Sequence, residues 1–329
     1  MNKPKVAIIF TGGTISMTID EKIGAAIPSL SGNQILSMVT NIDKLADIEP
    51  VEFCEIPGPH VTFDMLFEIR DIVIKLSQRD DISGIIITHG TDTLEETAYF
   101  LDLTLNIEKP VIVVGAMRNS SELGYDGSSN LAAAVCTAIS PNAVGKGVLV
   151  VLNNEVNTAK EVTKTNTMSL NTFKSSYGPI GIIDTNEFLV HRNITERDYI
   201  DTDKIEKNVF LVKSCLDMDS SILDFYIEKG AKGIVIEAMG RGNLPPNLVP
   251  PIKSAVEKGI FIIIVSRCHD GRVMSSYGYP GGGKNLHDLG AIFGGDMSGE
   301  KARIKLMLAL GKTSDREYIE ALFERNYLK

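Results

Sequence analysis

Apolar positions along the chain follow two spacings. Short unbroken runs rich in Ile and Val, at Val6–Phe10, Ile85–Thr88, Val111–Val114 and Val148–Leu152, have the length and β-branched content of strands buried on both faces. Between them apolar residues recur at helical spacing. In Thr62–Gln78, the residues Met65, Leu66, Ile69, Ile72, Val73 and Leu76 form one stripe. Thr62 is placed to cap that helix, and Asp64 stands in its first turn, where the dipole favours an anion. Further helices are predicted over Thr93–Leu105, opened by Asp92 and followed by Pro110, and over Ser128–Ile139. Strand–helix alternation of this kind predicts an α/β fold with a mostly parallel sheet flanked by helices.

The pattern breaks at Asn193–Asn208, NITERDYIDTDKIEKN, where charge is dense and apolar residues are sparse. It resumes with strands at Val209–Lys213, Ile234–Ala238 and Phe261–Ser266 and helices near Ser221–Lys229 and Asn247–Lys258. A glycine-rich stretch and two C-terminal helices follow. The expected organisation is a larger N-terminal α/β domain over residues 1–192, a linker over 193–208 and a smaller C-terminal parallel-sheet domain over 209–329. There is no internal repeat, and no low-complexity segment beyond the GGG at Gly281–Gly283.

Composition narrows the function. Of 329 residues, 43% are hydrophobic and 23% charged, an ordinary globular mix. The net charge of −9 argues against a nucleic-acid partner, which calls for a basic face. The four cysteines, Cys54, Cys136, Cys215 and Cys268, form no CxxC pair. They are expected to be buried, reduced thiols of a cytoplasmic protein. The N-terminus lacks a signal-peptide pattern, and no apolar run reaches the roughly 18 residues that span a bilayer. No membrane partner, metal or cofactor is expected.

Polar residues collect where predicted strands end. The first strand runs into Thr11-Gly12-Gly13-Thr14, the strand at Ile85 into THGTDT at Thr88–Thr93, and the strand at Val111 into GAMRNS at Gly115–Ser120. Open parallel sheets bind ligands just outside the carboxyl ends of their strands. Glycine there lets main-chain N–H groups approach a ligand closely, and N–H groups at a helix start favour an anion. TGGT alone reads equally well as a tight turn. Together with HGTDT it reads as one wall of a shared cleft.

These blocks resemble those of the bacterial L-asparaginase/glutaminase family, the threonine amidohydrolases. The resemblance rests on TGGTIS at Thr11, ITHGTDTLEETAYFLDL at Ile87, VGAMR at Val114, DGSSNL at Asp126 and VTKTNTMSLNTFKSSYGPIG at Val162. AMGRGNLP at Ala238 and GGDMSGEKARIKLMLAL at Gly294 extend it over nearly the whole chain. It implies hydrolysis of L-asparagine to L-aspartate and ammonia, with Thr11 as nucleophile and Thr91, Asp92 and Lys164 as the second catalytic set. The chemistry agrees, since a covalent acyl-enzyme splits a difficult amide hydrolysis into two easier steps. A lysine works as a base only when burial or a neighbouring cation lowers its pKa. Asp92 pulls the other way, so it is read as an orienting group and an anchor for the substrate ammonium. Main-chain N–H groups near Thr91 and Ala116 are candidate oxyanion donors, a role worth roughly 3–4 kcal/mol per donor elsewhere. Gly90 completes that wall.

Two departures stand out. The loop Met17–Ser29, expected to act as a lid, lacks the tyrosine that family members commonly carry there. After the second strand, IPGPHVT places Gly58, Pro59 and His60 where many members hold the substrate carboxylate with a Ser-Gln pair. The resemblance further implies that Asn243, in GRGNLP, completes the active site of a neighbouring subunit, in a homotetramer built as a dimer of dimers. Out of context each residue has a plainer reading. Lys164 is then a surface charge, Asp92 a helix cap, His89 a packing or orienting group, and Arg118 a carboxylate binder or a partner of Asp126.

Three rivals remain. One is a glutaminase or the asparaginase-like subunit of a tRNA-dependent amidotransferase, which usually carries an extra N-terminal domain; here the first strand starts almost at Met1. A second is a non-catalytic relative, against which the joint presence of Thr11, Thr91, Asp92 and Lys164 speaks. The third is a phosphate-binding module at Gly278–Asn285, where Asn285 stands in place of the Walker hydroxyl.

Overall fold

Strand β1 (Lys5–Gly12) begins the fold, and its residues Val6–Ile9 have no exposed surface. The protein is described by a computed structural model that covers residues 3–194 and 197–324. Thr195 and Glu196 of the expected linker lie outside the described residues. Two compact units are present, one up to Tyr199 and the other from Ile200.

The first unit continues through a hairpin of β2 (Met17–Asp20) and β3 (Ala25–Pro28), short helices α1 (Gly32–Ser37) and α2 (Ile42–Leu45), and strand β4 (Asp47–Ile56). Then come α3 (Phe63–Ser77), β5 (Ile82–Thr88), α4 (Leu94–Thr104), β6 (Val111–Val114), α5 (Gly127–Ala138) and β7 (Val148–Leu152). The chain closes the unit with β8 (Glu155–Thr158), a separate two-stranded ladder of β9 (Val162–Lys164) with β10 (Phe173–Ser175), and β11 (Gly181–Asp184) and β12 (Glu187–Val190). Predicted helices and strands reappear within a few residues of their expected bounds. Thr62 Oγ1 accepts from the Met65 N–H and caps α3, an interaction worth about 1 kcal/mol.

Eight strands form one sheet in the order β12-β11-β8-β7-β6-β5-β1-β4. The five from β4 to β7 are parallel; β8, β11 and β12 extend one edge antiparallel. Alternate side chains serve opposite faces. Val6, Ile8 and Phe10 join Ile86, Ile112, Val114 and Leu149 in a core shared with α1, α2 and α5. Helices α3 and α4 pack on the sheet through other contacts with β5, β6 and β7.

The order has a consequence for function. From β1 the chain goes to β4 on one side, then crosses back to β5 on the other and proceeds outward to β7. The direction of winding therefore reverses at β1. In open sheets the reversal leaves a crevice outside the carboxyl ends of the strands. The loop after β1 is TGGT and the loop after β5 is HGTDT.

The second unit holds a four-stranded, all-parallel sheet in the order β13-β14-β15-β16. Its strands are β13 (Val209–Lys213), β14 (Gly233–Ala238), β15 (Phe261–Ser266) and β16 (Ile292–Phe293). Its helices are α6 (Ser221–Glu228), α7 (Val249–Glu257), α8 (Gly283–Asp288), α9 (Gly299–Lys312) and α10 (Arg316–Glu324). Helix α7 starts later than predicted because Pro246–Leu248 first makes a 3-10 turn.

Two expectations need correction. Cys54 and Cys136 are at least partly buried, but Cys215 and Cys268 are exposed, because both lie just beyond strand ends, where the chain leaves the sheet. The loop at Met17–Ser29 is largely a hairpin, with Gly24 in the left-handed region at its turn. Among the described residues no helix is long and apolar enough to cross a membrane, and no cluster of three or more His, Cys, Asp or Glu has metal-binding geometry.

Candidate active site

Glycines at the strand ends shape the crevice. Gly12 and Gly13 both have positive φ, 100° and 79°, so the chain turns sharply off β1. A Cβ on Gly13 would lie 2.3 Å from the Gly90 nitrogen, and one on Gly90 would lie 2.6 Å from the Gly58 nitrogen. The loops after β1, β5 and β4 therefore stack backbone against backbone. The loop after β6 joins them, since a Cβ on Gly115 would meet the His89 carbonyl oxygen at 2.6 Å. Any larger side chain at Gly13 or Gly90 would push these loops apart.

Within this frame Thr11 is 1% exposed. Its hydroxyl donates to the Thr88 carbonyl at 2.6 Å, and its N–H donates to Thr88 Oγ1 at 3.3 Å. Cys54 Sγ donates to the Thr11 carbonyl. From β5, Thr91 is 5% exposed. Lys164, at the end of β9, reaches both members of the TD pair: its Nζ donates to Thr91 Oγ1 at 2.9 Å and to Asp92 Oδ1 at 2.7 Å. The Lys164 side chain is 17% exposed and that of Asp92 66%. Lys164 is thus no free surface charge. Asp92 makes this ion pair at the mouth of the crevice, and Thr93 is the residue at the N-cap of α4.

His89 is fully buried. Its Nδ1 lies 2.8 Å from the Gly90 carbonyl, which only accepts, so Nδ1 carries the proton. Nε2, 2.9 Å from Thr97 Oγ1, then accepts from that hydroxyl. Burial holds the ring neutral and lowers its pKa to about 4. His89 therefore orients the HGTDT loop. Arg118 bonds Asp126 through its main chain rather than its side chain. Its guanidinium donates to the Leu123 and Gly124 carbonyls, whereas Asp126 accepts from the Met117 and Arg118 main-chain N–H groups and from Asn130. The arginine closes its own loop, and Asp126 organises the turn that leads to α5. Ala116 is buried just beyond β6.

Gly58–His60 form a 3-10 turn after β4. Gly58 is buried and its carbonyl accepts from Thr93 Oγ1; Pro59 and His60 are exposed. Tyr125, outside the Met17–Ser29 segment, sends its hydroxyl to the Ile15 carbonyl at 2.8 Å, and burial raises its pKa. The turn after TGGT is thereby tied to the loop before α5. Sequence reasoning passed over Glu95 as well. It is 6% exposed, and its Oε1 accepts from the Lys164 N–H at 3.0 Å. A carboxylate three residues after Asp92, on the first turn of an otherwise buried helix, was the available signal.

In the second unit, Asn243 lies in a tight turn bridged to Met239, and its Oδ1 accepts from the Gly283 N–H at 3.3 Å. The Gly281 N–H is taken by Asn285 Oδ1. Among the described residues no strand runs directly into Gly278 as a phosphate-binding loop requires, and these amides of the glycine run serve internal bonds.

This constellation has counterparts in known proteins. The family model described as Asparaginase, N-terminal matches residues 5–196, and the one described as Glutaminase/Asparaginase C-terminal domain matches residues 208–323. An L-asparaginase of Bacillus licheniformis is 37% identical over 311 residues, covering 94% of this chain and 96% of that protein. A glutamyl-tRNA(Gln) amidotransferase subunit of Pyrococcus abyssi is 35% identical over 339 residues, covering 98% of this chain and 76% of that one. The crystal structure of a probable cytoplasmic L-asparaginase from Campylobacter jejuni is similar with a TM-score of 0.88 at 32% identity, covering 98% of this chain and 99% of that chain. With both family models matched and the two threonine loops meeting at the sheet's switch point, the chain belongs to the asparaginase/glutaminase family.

Proposed function

We propose that this protein is an L-asparaginase that hydrolyses L-asparagine to L-aspartate and ammonia through an acyl-threonine intermediate. The observation that carries the reading is the contact of Lys164 Nζ with Thr91 Oγ1 and Asp92 Oδ1 beside the loop that presents Thr11. Thr11 Oγ1 attacks the side-chain amide carbon, and its proton passes to the departing nitrogen, which leaves as ammonia. Water, activated by Thr91 with Lys164, then cleaves the ester and restores the Thr11 hydroxyl. Main-chain N–H groups at Gly90–Thr91 and Ala116 stabilise the oxyanion in both steps. Asp92 holds the substrate ammonium, and the turn at Gly58, Pro59 and His60 receives its α-carboxylate.

The proposed working unit is a homotetramer of two dimers in the cytoplasm, with Asn243 of one subunit closing the cleft of its neighbour. A two-fold copy closes two open clefts at once. Residues 1–192 carry the chemistry in this reading, 193–208 the linker and 209–329 the contribution to the neighbouring site. Similarity to a component of a tRNA-dependent amidotransferase favours one alternative, in which glutamine is the amide consumed.

The test is ammonia release from L-Asn, D-Asn and L-Gln compared side by side, with Thr11→Ala as control. Turnover of L-Asn that disappears in the control is expected. Turnover confined to L-Gln would favour the alternative, and turnover that survives in the control would remove Thr11 from the mechanism. For the assembly, mixing inactive Thr11→Ala with inactive Asn243→Asp subunits is expected to restore activity through hybrid sites. A fully active monomer by light scattering would end the oligomer proposal.

A further inference from the structure

The N-cap and first turns of α4 touch three separate segments around the crevice, two loops and the end of β9. Thr93 Oγ1 donates to the Gly58 carbonyl, Thr97 bonds His89 Nε2, and Glu95 Oε1 accepts from the Lys164 N–H. The last of these is the least expected. Glu95 is 6% exposed, and a carboxylate at that depth is uncommon.

Lys164 sits on the β9–β10 ladder, which is not part of the eight-stranded sheet. Opposite Phe173 in that ladder, its N–H leaves the hairpin and goes to Glu95. At the other end of the same residue, Nζ is 2.9 Å from Thr91 Oγ1 and 2.7 Å from Asp92 Oδ1. Thr91, Asp92 and Glu95 lie within five consecutive residues running from the end of β5 into α4. Both the origin and the tip of the lysine are thus referenced to one rigid segment. A long side chain loses considerable rotamer freedom when fixed, and a small displacement of a reacting group lowers rate steeply. An origin held by the same segment that carries the target removes most of that displacement.

We infer that Glu95 is a positioning residue for the reaction: by holding the Lys164 main chain it sets the reach of the lysine amine onto Thr91. The inference rests on the proposed asparaginase reading. What Glu95 supplies is an acceptor at a fixed distance, a task that a glutamine carbonyl also performs. Aspartate retracts the acceptor by one methylene, and alanine removes it.

The experiment compares wild type with Glu95→Gln, Glu95→Asp and Glu95→Ala by steady-state ammonia release, thermal melts and amide hydrogen exchange at Lys164. Glu95→Gln is expected to keep kcat within about threefold and the Lys164 amide protected. Glu95→Asp and Glu95→Ala are expected to lower kcat tenfold or more, to leave KM within about threefold and to lose that protection. Wild-type kcat in folded Glu95→Ala would overturn the inference, since a merely structural role affects melting alone. Equal losses in all three variants would overturn it too, because the charge and not the acceptor would then matter. If Glu95→Ala does not fold, the contrast between Gln and Asp decides by itself, and equal rates for the two count against the inference. Should wild type release no ammonia, the asparaginase reading fails, while the exchange pattern still decides whether Glu95 holds Lys164.

Discussion

The hydroxyl of Thr11 donates to the main-chain carbonyl of Thr88 at 2.6 Å, across the pair of strands β1 and β5. The candidate nucleophile therefore gives its proton to an acceptor that cannot keep it. For attack the hydroxyl must turn its lone pair to the substrate and its proton toward a group able to carry it. The adjoining loop holds Thr91 with Lys164 already bonded to it.

Removing either hydroxyl is expected to stop turnover without unfolding the protein. Thr11→Ala and Thr91→Ala should each lower kcat by about 10³-fold or more, the scale seen when members of a nucleophilic set are deleted. Circular dichroism and melting curves should remain close to wild type. Near wild-type kcat in either variant would take that residue out of the mechanism.

Lys164 and Asp92 should separate kinetically. Lys164→Met is expected to lower kcat by about 10²-fold or more with little change in KM, as befits a proton-transfer role. Asp92→Ala removes the proposed ammonium anchor and should raise KM as well. A Lys164→Met effect confined to KM would assign the lysine to plain binding.

His89 makes stability depend on pH in a defined window. Its folded pKa is lowered to about 4 by burial, from an ordinary value of 6.5. Between these values the unfolded chain takes up a proton that the folded chain refuses. Stability conferred by the neutral ring is complete above pH 6.5 and falls as pH drops toward 4, by roughly 3 kcal/mol in total. Urea unfolding at about pH 7, 5.5 and 4 measures it. His89→Gln should flatten the slope in that window, and an unchanged slope would assign it to other groups.

The β2–β3 hairpin is proposed to cover the bound substrate. Its turn, with Lys22, Ile23 and Gly24, is exposed, while its base is held by Ser120, whose N–H and hydroxyl both donate to the Met17 carbonyl. Trypsin is expected to cut after Lys22 in the free enzyme, and aspartate to slow the cut several-fold by closing the segment. Equal rates with and without aspartate would show that this hairpin does not close.

Local pattern alone determined the central parallel strands β1, β5, β6 and β7, the stripe of α3 and its Thr62 cap, because burial on two faces and helical spacing leave their marks within a few residues. It also determined which loops carry hydroxyls, since Thr11 stands at the end of β1 and Thr91 three residues beyond β5. The short strands β8 to β12 left no comparable mark, because elements of three or four residues are too short to show a period, and several of their side chains are partly exposed. β4 was obscured by Pro50 and its mixed exposure at the sheet edge. Only the tertiary structure decided that the winding reverses at β1, that Gly13, Gly90 and Gly58 stack, and that Lys164 is turned inward onto Thr91 and Asp92. These depend on loops far apart in the chain meeting backbone to backbone at distances that admit no Cβ, and such meetings have no period along the sequence. Glu95 was overlooked for the same reason. A glutamate on a helix reads as solvent-facing until a distant strand brings it an N–H to accept from, and only the folded chain supplies that strand.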